Sequence, residues 1–192
     1  LTIMDKEMKS QRSEGFFSFV WEVLKITVLA LIIILPIRYY VAQPFLVKGA
    51  SMEPAFENGD YLIIDEMSYR FSEPWRGEAV IFRFPEDPKQ FFIKRLIGLP
   101  GETIEVKNNQ VIIYNEGAPG GLVIDESGYL DPEQRTEGRL KVELGKDEYF
   151  VMGDNRLASS DSRRWGPLDE DLIIGRVLLR AWPVDRAEYF KR

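Results

Sequence analysis

Residues 91–114 read FFIKRLIGLPGETIEVKNNQVIIY. Three apolar runs of strand length are separated by two turn signals, Pro100-Gly101 and Asn108-Asn109. Asn tolerates positive φ, so the second signal predicts a tight hairpin joining 103–107 to 110–114. Along 91–97, strand alternation puts Phe92, Lys94 and Leu96 on one face and Ile93, Arg95 and Ile97 on the other. Lys94 is therefore embedded among large apolar groups.

Working outward from this stretch, the same texture continues in both directions. Upstream lie YLIID at 61–65 and AVIFRF at 79–84; downstream lie 149–152 and 172–182. Turn signals separate them at Asn58-Gly59-Asp60, Arg76-Gly77 and Pro85-Glu86-Asp87-Pro88. Beyond Val47 no stretch long enough for a substantial helix has a helical period, so the expected fold is mainly β, built of antiparallel hairpins. Residues 115–138, rich in Gly, Pro and acids, read as a long surface excursion inside the β domain.

The N-terminal side is different. Residues 1–15 are polar and read as a tail; residues 16–37, FFSFVWEVLKITVLALIIILPI, are apolar except for Glu22 and Lys25. A spanning helix needs about 20 mainly apolar residues for a hydrocarbon core ~30 Å thick. Residues 16–37 are therefore expected to form one transmembrane helix, with Lys25 snorkelling and Arg38, Tyr39 and Tyr40 anchoring its far end. A buried core helix or a cleaved secretory signal also fits an apolar run, but no A-x-A-like cleavage site follows this one. Lys6, Lys9, Arg12 and Lys25 favour a cytoplasmic N-terminal side. The expected organisation is a tail at 1–15, a membrane helix at 16–37 and a globular domain at 38–192.

Composition narrows the chemistry. The net charge of −6 argues against a general nucleic-acid binder. The chain has neither Cys nor His, which excludes a thiol nucleophile, a disulfide framework, a Ser-His-Asp triad and a His-ligated zinc site. Any base working near neutral pH must be a carboxylate, a Tyr or an amine with a shifted pKa. No cofactor or metal is implied.

Three segments carry candidate chemistry. In Gly49-Ala50-Ser51-Met52-Glu53-Pro54 small residues flank a Ser, and such a turn can direct backbone N–H groups at a developing oxyanion. Taken alone, these residues fit a capping Ser ahead of an ordinary turn better. Lys94, among apolar neighbours, is expected to lose charge-stabilising water and to have a pKa below about 10.4, the condition for a general base. A Lys guarding an edge strand fits as well. The third segment, Gly153 to Pro167, is dense in hydroxyls, acids and Arg between two apolar runs. It reads either as a solvated loop or as a hydrogen-bonded shell around a base and its nucleophile.

Taken in order, these segments resemble the bacterial type I signal peptidases. That family has a membrane span, a Ser-Met-x-Pro segment, a Lys-Arg-x-x-Gly-x-Pro-Gly segment and a Gly-Asp-Asn-Arg-x-x-Ser-x-Asp-Ser-Arg segment. Here they stand as Ser51 to Pro54, Lys94 to Gly101 and Gly153 to Arg163, with Gly59-Asp60 matching a further family box. The resemblance implies a two-sheet Ser-Lys protease in which Ser51 is the nucleophile and Lys94 the general base. It further implies that Ser159 orients the Lys94 amine, that Asp161 and Arg163 form a supporting ion pair, that Asp154 pairs with Arg95, and that the Ser51 N–H serves the oxyanion. By the same resemblance the substrates are signal-peptide-bearing preproteins cut after small residues, the partner surface is a lipid bilayer, and the location is the extracytoplasmic face of a bacterial cytoplasmic membrane. Two positions depart from the pattern. Gly49 stands where some members carry a Ser that helps hold the oxyanion, leaving a second donor unassigned, and Ala55 stands where a Thr is common. Phe45, Phe56, Phe71 and Trp75 are expected either to dip into the membrane interface or to be core. A self-cleaving repressor-type protease shares the Ser-Lys chemistry, but the apolar run and the lack of a DNA-binding module oppose it. An inactive anchored binding module is opposed by the presence of both Ser51 and Lys94.

Overall fold

The computed structural model describes residues 18–34 and 43–191. They belong to two compact units, dividing between Val41 and Ala42. In the first, residues 18–34 form a helix, α1, whose side chains are exposed except for half-buried Ala30. Among the described residues no helix is long and apolar enough to cross a membrane. Residues 16–17 and 35–37 of the expected span, and the expected tail at 1–15, lie outside the described residues.

The second unit is antiparallel β throughout. In chain order its strands are β1 (Gln43–Leu46), β2 (Tyr61–Asp65), β3 (Ala79–Phe84), β4 (Asp87–Gly98), β5 (Thr103–Lys107), β6 (Gln110–Asn115), β7 (Ala118–Val123), β8 (Leu140–Glu143), β9 (Glu148–Met152), β10 (Leu168–Asp169), β11 (Ile173–Trp182) and β12 (Glu188–Tyr189). One short helix, α2 (Ser162–Trp165), lies between β9 and β10. The larger sheet runs β1-β2-β11-β3-β4-β9-β10, with β12 on β11; the smaller runs β7-β6-β5-β8. Asn108 and Asn109 have φ of 51° and 60° and close the β5–β6 hairpin, with Lys107 opposite Gln110.

Alternation explains how the sheets pack. On β3, Ala79 and Ile81 face one cluster with Met52, Phe56, Leu62, Ile64, Ile93 and Val177. Val80 and Phe82 face another with Leu96, Tyr149, Val151 and Leu168. A third cluster, with Ile97, Ile104, Val106, Ile113, Phe150 and Met152, joins the smaller sheet to the ends of β4 and β9. A fully buried aliphatic or aromatic side chain contributes about 1.5–3 kcal/mol, so these clusters dominate the stability.

Three features differ from the sequence reading. The Pro85–Pro88 turn is confined to residues 85–86, and β4 begins already at Asp87, opposite Phe84. The excursion at 115–138 contributes β7, paired to β6, and buries Thr136. The strands β1 and β8 carry too short a pattern to read: β1 is a four-residue edge strand containing Pro44, and β8 has four residues. Of the aromatics near the first motif, Phe56 is core, Phe45 packs partly on the first cluster, and Phe71 and Trp75 are exposed.

Candidate active site

Ser51 sits on a turn held down at two points. Met52 and Phe56, each 1% exposed, anchor it to the first cluster. Turn bonds run from Glu53 N–H to the Ala50 carbonyl and from Phe56 N–H to the Met52 carbonyl. The far side of the turn is clamped by β11 and the turn that follows it. Arg180 donates to the Ala55 carbonyl at 2.6 Å, and buried Asp60 accepts from Arg186 at 3.0 Å and from the Glu57 N–H at 3.0 Å. These partners explain the Gly59-Asp60 box physically. Neither Arg carried a signal in the sequence, because each sits in the C-terminal strand region far along the chain.

Gly49 has a φ of 91°, a conformation that a side chain strains, and its N–H donates to Asn58 Oδ1 at 3.0 Å. The chain thus uses position 49 for a turn that requires glycine. The Ser51 N–H makes no hydrogen bond among the described residues, whereas the Ser51 carbonyl accepts from the Asn155 N–H at 3.1 Å.

Lys94 comes from the middle of β4, where Val80 of β3 is its register partner. It is 4% exposed. Its Nζ donates to Ser51 Oγ at 2.7 Å and to the Ile93 carbonyl at 2.8 Å, and lies 5.2 Å from the centre of the Phe92 ring. Burial lowers its pKa to about 8, against the opposing pull of the Asp161 and Asp154 carboxylates. The two residues, 43 positions apart in sequence, open on one cavity of about 650 Å³ walled by Phe45, Val47, Leu62 and Ile81. That volume fits a short peptide segment.

The loop after β9 supplies the surroundings. Arg95 donates to both oxygens of Asp154, at 2.7 and 2.5 Å, and to the Gly77 carbonyl. Burial pushes the Asp154 carboxyl up despite that pairing. Asp161 is fully buried and caps α2; Arg163 donates to both of its oxygens at 2.8 Å, and the Gly153 N–H adds a third bond at 3.0 Å. Burial would raise the Asp161 carboxyl, but the Arg163 guanidinium outweighs it and holds the pKa below the usual range. Gly153 is where the loop meets the nucleophile: a Cβ there would lie 2.4 Å from the Ser51 carbonyl oxygen and 2.3 Å from Ser159 Oγ.

The structure therefore brings together Ser51 with Lys94, Arg95 with Asp154, and Asp161 with Arg163. It does not pair Ser159 with Lys94. Among the described residues Ser159 Oγ is buried without a hydrogen-bond partner, and it packs on Gly153. Among the described residues no cluster of three or more acids is placed to hold a metal ion. The sequence reading missed Glu126, Tyr129 and Thr136, which contact Arg156 and Arg95 from the excursion. No signal in the sequence pointed to them, because Glu126 and Arg156 stand 30 positions apart and meet only in the folded chain.

Comparison with known proteins shows which family the chain resembles. A chain named probable signal peptidase I-1 from Synechocystis sp. is 38% identical over 88% of this chain and 86% of its own length. Signal peptidase I of Leptolyngbya laminosa is 38% identical over 86% of this chain and 81% of that one. Signal peptidase I P of Bacillus subtilis subsp. natto is 33% identical over 88% and 92%. A crystal structure of a signal peptidase I from Enterococcus faecalis overlaps 55% of this chain and 97% of that one, at 27% identity and a TM-score of 0.45. The family model described as signal peptidase, peptidase S26, matches residues 20–182. The chain belongs to the signal peptidase family, peptidase S26.

Proposed function

We propose that this protein is a membrane-anchored serine endopeptidase that removes signal peptides from exported preproteins, cutting after small residues, with Ser51 as nucleophile and Lys94 as general base. The observation that carries this reading is the 2.7 Å contact between a buried Lys94 amine and Ser51 Oγ at the edge of an apolar cavity, in a chain of this family. With a pKa of about 8, roughly a tenth of the Lys94 amines are neutral at pH 7, and a neutral amine can accept a proton.

Catalysis begins as Ser51 Oγ attacks the scissile carbonyl and gives its proton to Lys94 Nζ. The carbonyl oxygen becomes an oxyanion facing the Ser51 N–H. Collapse breaks the C–N bond, and Lys94 returns the proton to the leaving amine. A water, deprotonated by the same amine, then hydrolyses the acyl-enzyme and regenerates the Ser51 hydroxyl. The Ile93 carbonyl fixes one N–H of the amine throughout. Arg95 with Asp154 and Arg163 with Asp161 hold the strand and loop that frame it.

In this reading residues 16–37 form a single span, the N-terminus is cytoplasmic, and residues 38–192 stand on the extracytoplasmic face of a bacterial cytoplasmic membrane. The apolar sequence of that stretch and its basic N-terminal flank support it. The test is cleavage of a preprotein in detergent by wild type, Ser51→Ala and Lys94→Ala, with mass spectrometry of the products. Wild type is expected to cut after a small residue and both variants to lose activity. Full activity in either variant would remove that residue from the dyad.

A further inference from the structure

The excursion at 115–138 reaches the site through Glu126, Tyr129 and Thr136, and Glu126 bonds both Arg156 and Tyr129. Glu126 Oε1 accepts from the Tyr129 hydroxyl at 2.8 Å and from Arg156 Nη2 at 2.5 Å, and Glu126 Oε2 accepts from Arg156 Nη1 at 2.9 Å. Arg156 is 2% exposed; it also donates to Thr136 Oγ1 at 2.6 Å and to the Gly153 carbonyl at 3.0 Å. Tyr129 lays its ring 4.2 Å from the Arg95 guanidinium. The segment is itself well held. The Ile124 N–H bonds the Val111 carbonyl, the Leu130 N–H bonds the Glu126 carbonyl, and Ile124 and Tyr129 pack on the core beneath the smaller sheet.

Two routes lead from Glu126 to the dyad. One passes through Arg156 to Gly153, which packs on the Ser51 carbonyl and Ser159 Oγ, while Arg163 ties the Arg156 carbonyl to Asp161. The other passes through Tyr129 to Arg95, the strand neighbour of Lys94, and on to Asp154. We propose that Glu126 is a positioning residue for catalysis: it makes the excursion a brace that fixes the 153–163 loop and Arg95, and through them the Lys94 amine. This rests on the reading of Ser51 and Lys94 as the dyad.

The charges make the idea separable from a purely structural role. The acids acting on Lys94 are Asp161 and Asp154, matched by Arg163 and Arg95. Arg156 adds a further cation beside Asp154, and Glu126 is the acid that offsets it. Burial alone would lower the Arg156 pKa, and Glu126 reverses this. Replacing Glu126 by Gln keeps the shape but leaves the Arg156 charge uncompensated, which disfavours the Lys94 ammonium.

The experiment measures kcat and KM for preprotein cleavage across pH with the full-length chain in detergent. Wild type must first show cleavage with an acidic limb; its absence counts against the dyad and not against Glu126. Glu126→Gln is expected to lower kcat about tenfold or more, with KM nearly unchanged, because small displacements of reacting groups are costly. Its acidic limb is expected at lower pH. Glu126→Asp retains the charge but cannot span both partners, so its limb stays with wild type while kcat falls part of the way. A Glu126→Gln enzyme with wild-type kcat, or with reduced kcat and an unmoved limb, overturns the proposal. If Glu126→Gln does not fold, Glu126→Asp decides. Reduced kcat at constant KM supports the brace, and wild-type kcat overturns it.

Discussion

At the scale of the residue, Lys94 shows how burial changes the acidity of a common side chain. Nothing in its covalent structure differs from a surface Lys. Burial within β4 removes the water that stabilises the ammonium and brings the pKa from 10.5 to about 8. Asp161 and Asp154 limit the fall, so the amine titrates in a usable range. The rate of cleavage is expected to rise with pH through about 8, because in the proposed mechanism the neutral amine is the active form; a rate flat from below 7 to above 9 would dismiss a titrating Lys base. Stability follows the same proton. Between about 8 and 10.5 the unfolded chain holds a proton that the folded one has released, so stability rises with pH across that window and the cost is complete below it. Lys94→Met should therefore be inactive yet more stable by about 1–3 kcal/mol at pH 7, with the advantage fading toward pH 10.5; thermal melts at the two pH values check this.

At the scale of the element, the site is a meeting of one strand and two loops. Strand β4 presents Lys94 to the cavity and Arg95 to Asp154, a direct consequence of alternation. The Ser51 turn is fixed by two buried apolar anchors, and the 153–163 loop by buried carboxylates. The β5–β6 hairpin lies apart from these and reports on folding alone. Both of its turn residues have positive φ, which Asn tolerates and β-branched residues do not. Asn109→Val is expected to destabilise by about 1–3 kcal/mol in urea titration while leaving kcat per folded molecule unchanged.

At the scale of the whole molecule, the two sheets share a polar seam as well as a core. Glu102 lies between β4 and β5, 5% exposed, and accepts from Arg76 at 2.7 Å, the Leu99 N–H at 2.9 Å and Asn115 at 2.8 Å. Burial would raise its pKa, but these donors hold it below 4.5. The carboxylate thus contributes stability that is present above about pH 4.5 and lost as pH falls through the folded value. Glu102→Gln should lower stability at pH 7 by about 1–3 kcal/mol, with the gap to wild type closing in acid; an equal gap at pH 3 would contradict the assignment.

Much of this protein is local in origin. Period-two hydrophobicity marked β2, β3, β5, β6, β9 and β11 to within a residue or so, because each strand buries one or both faces and its turns need Asn, Gly or Pro. The absence of His and Cys narrowed the base to a carboxylate, a Tyr or an amine, and the ordered motifs pointed to Ser51, Lys94 and the 153–163 loop. What strand pattern cannot carry is a contact between distant positions. The strands β1 and β8 exist because neighbours offer free edges, not because four residues prefer extension. The Arg180 and Arg186 clamp on the Ser51 turn, the unpaired Ser159, and the grip of Glu126 on Arg156 depend on which buried charges meet, and a buried charge finds its partner by proximity in space. Only the folded chain could show that an acidic, Gly-rich stretch read as a surface excursion supplies the counter-ion for an arginine of the site.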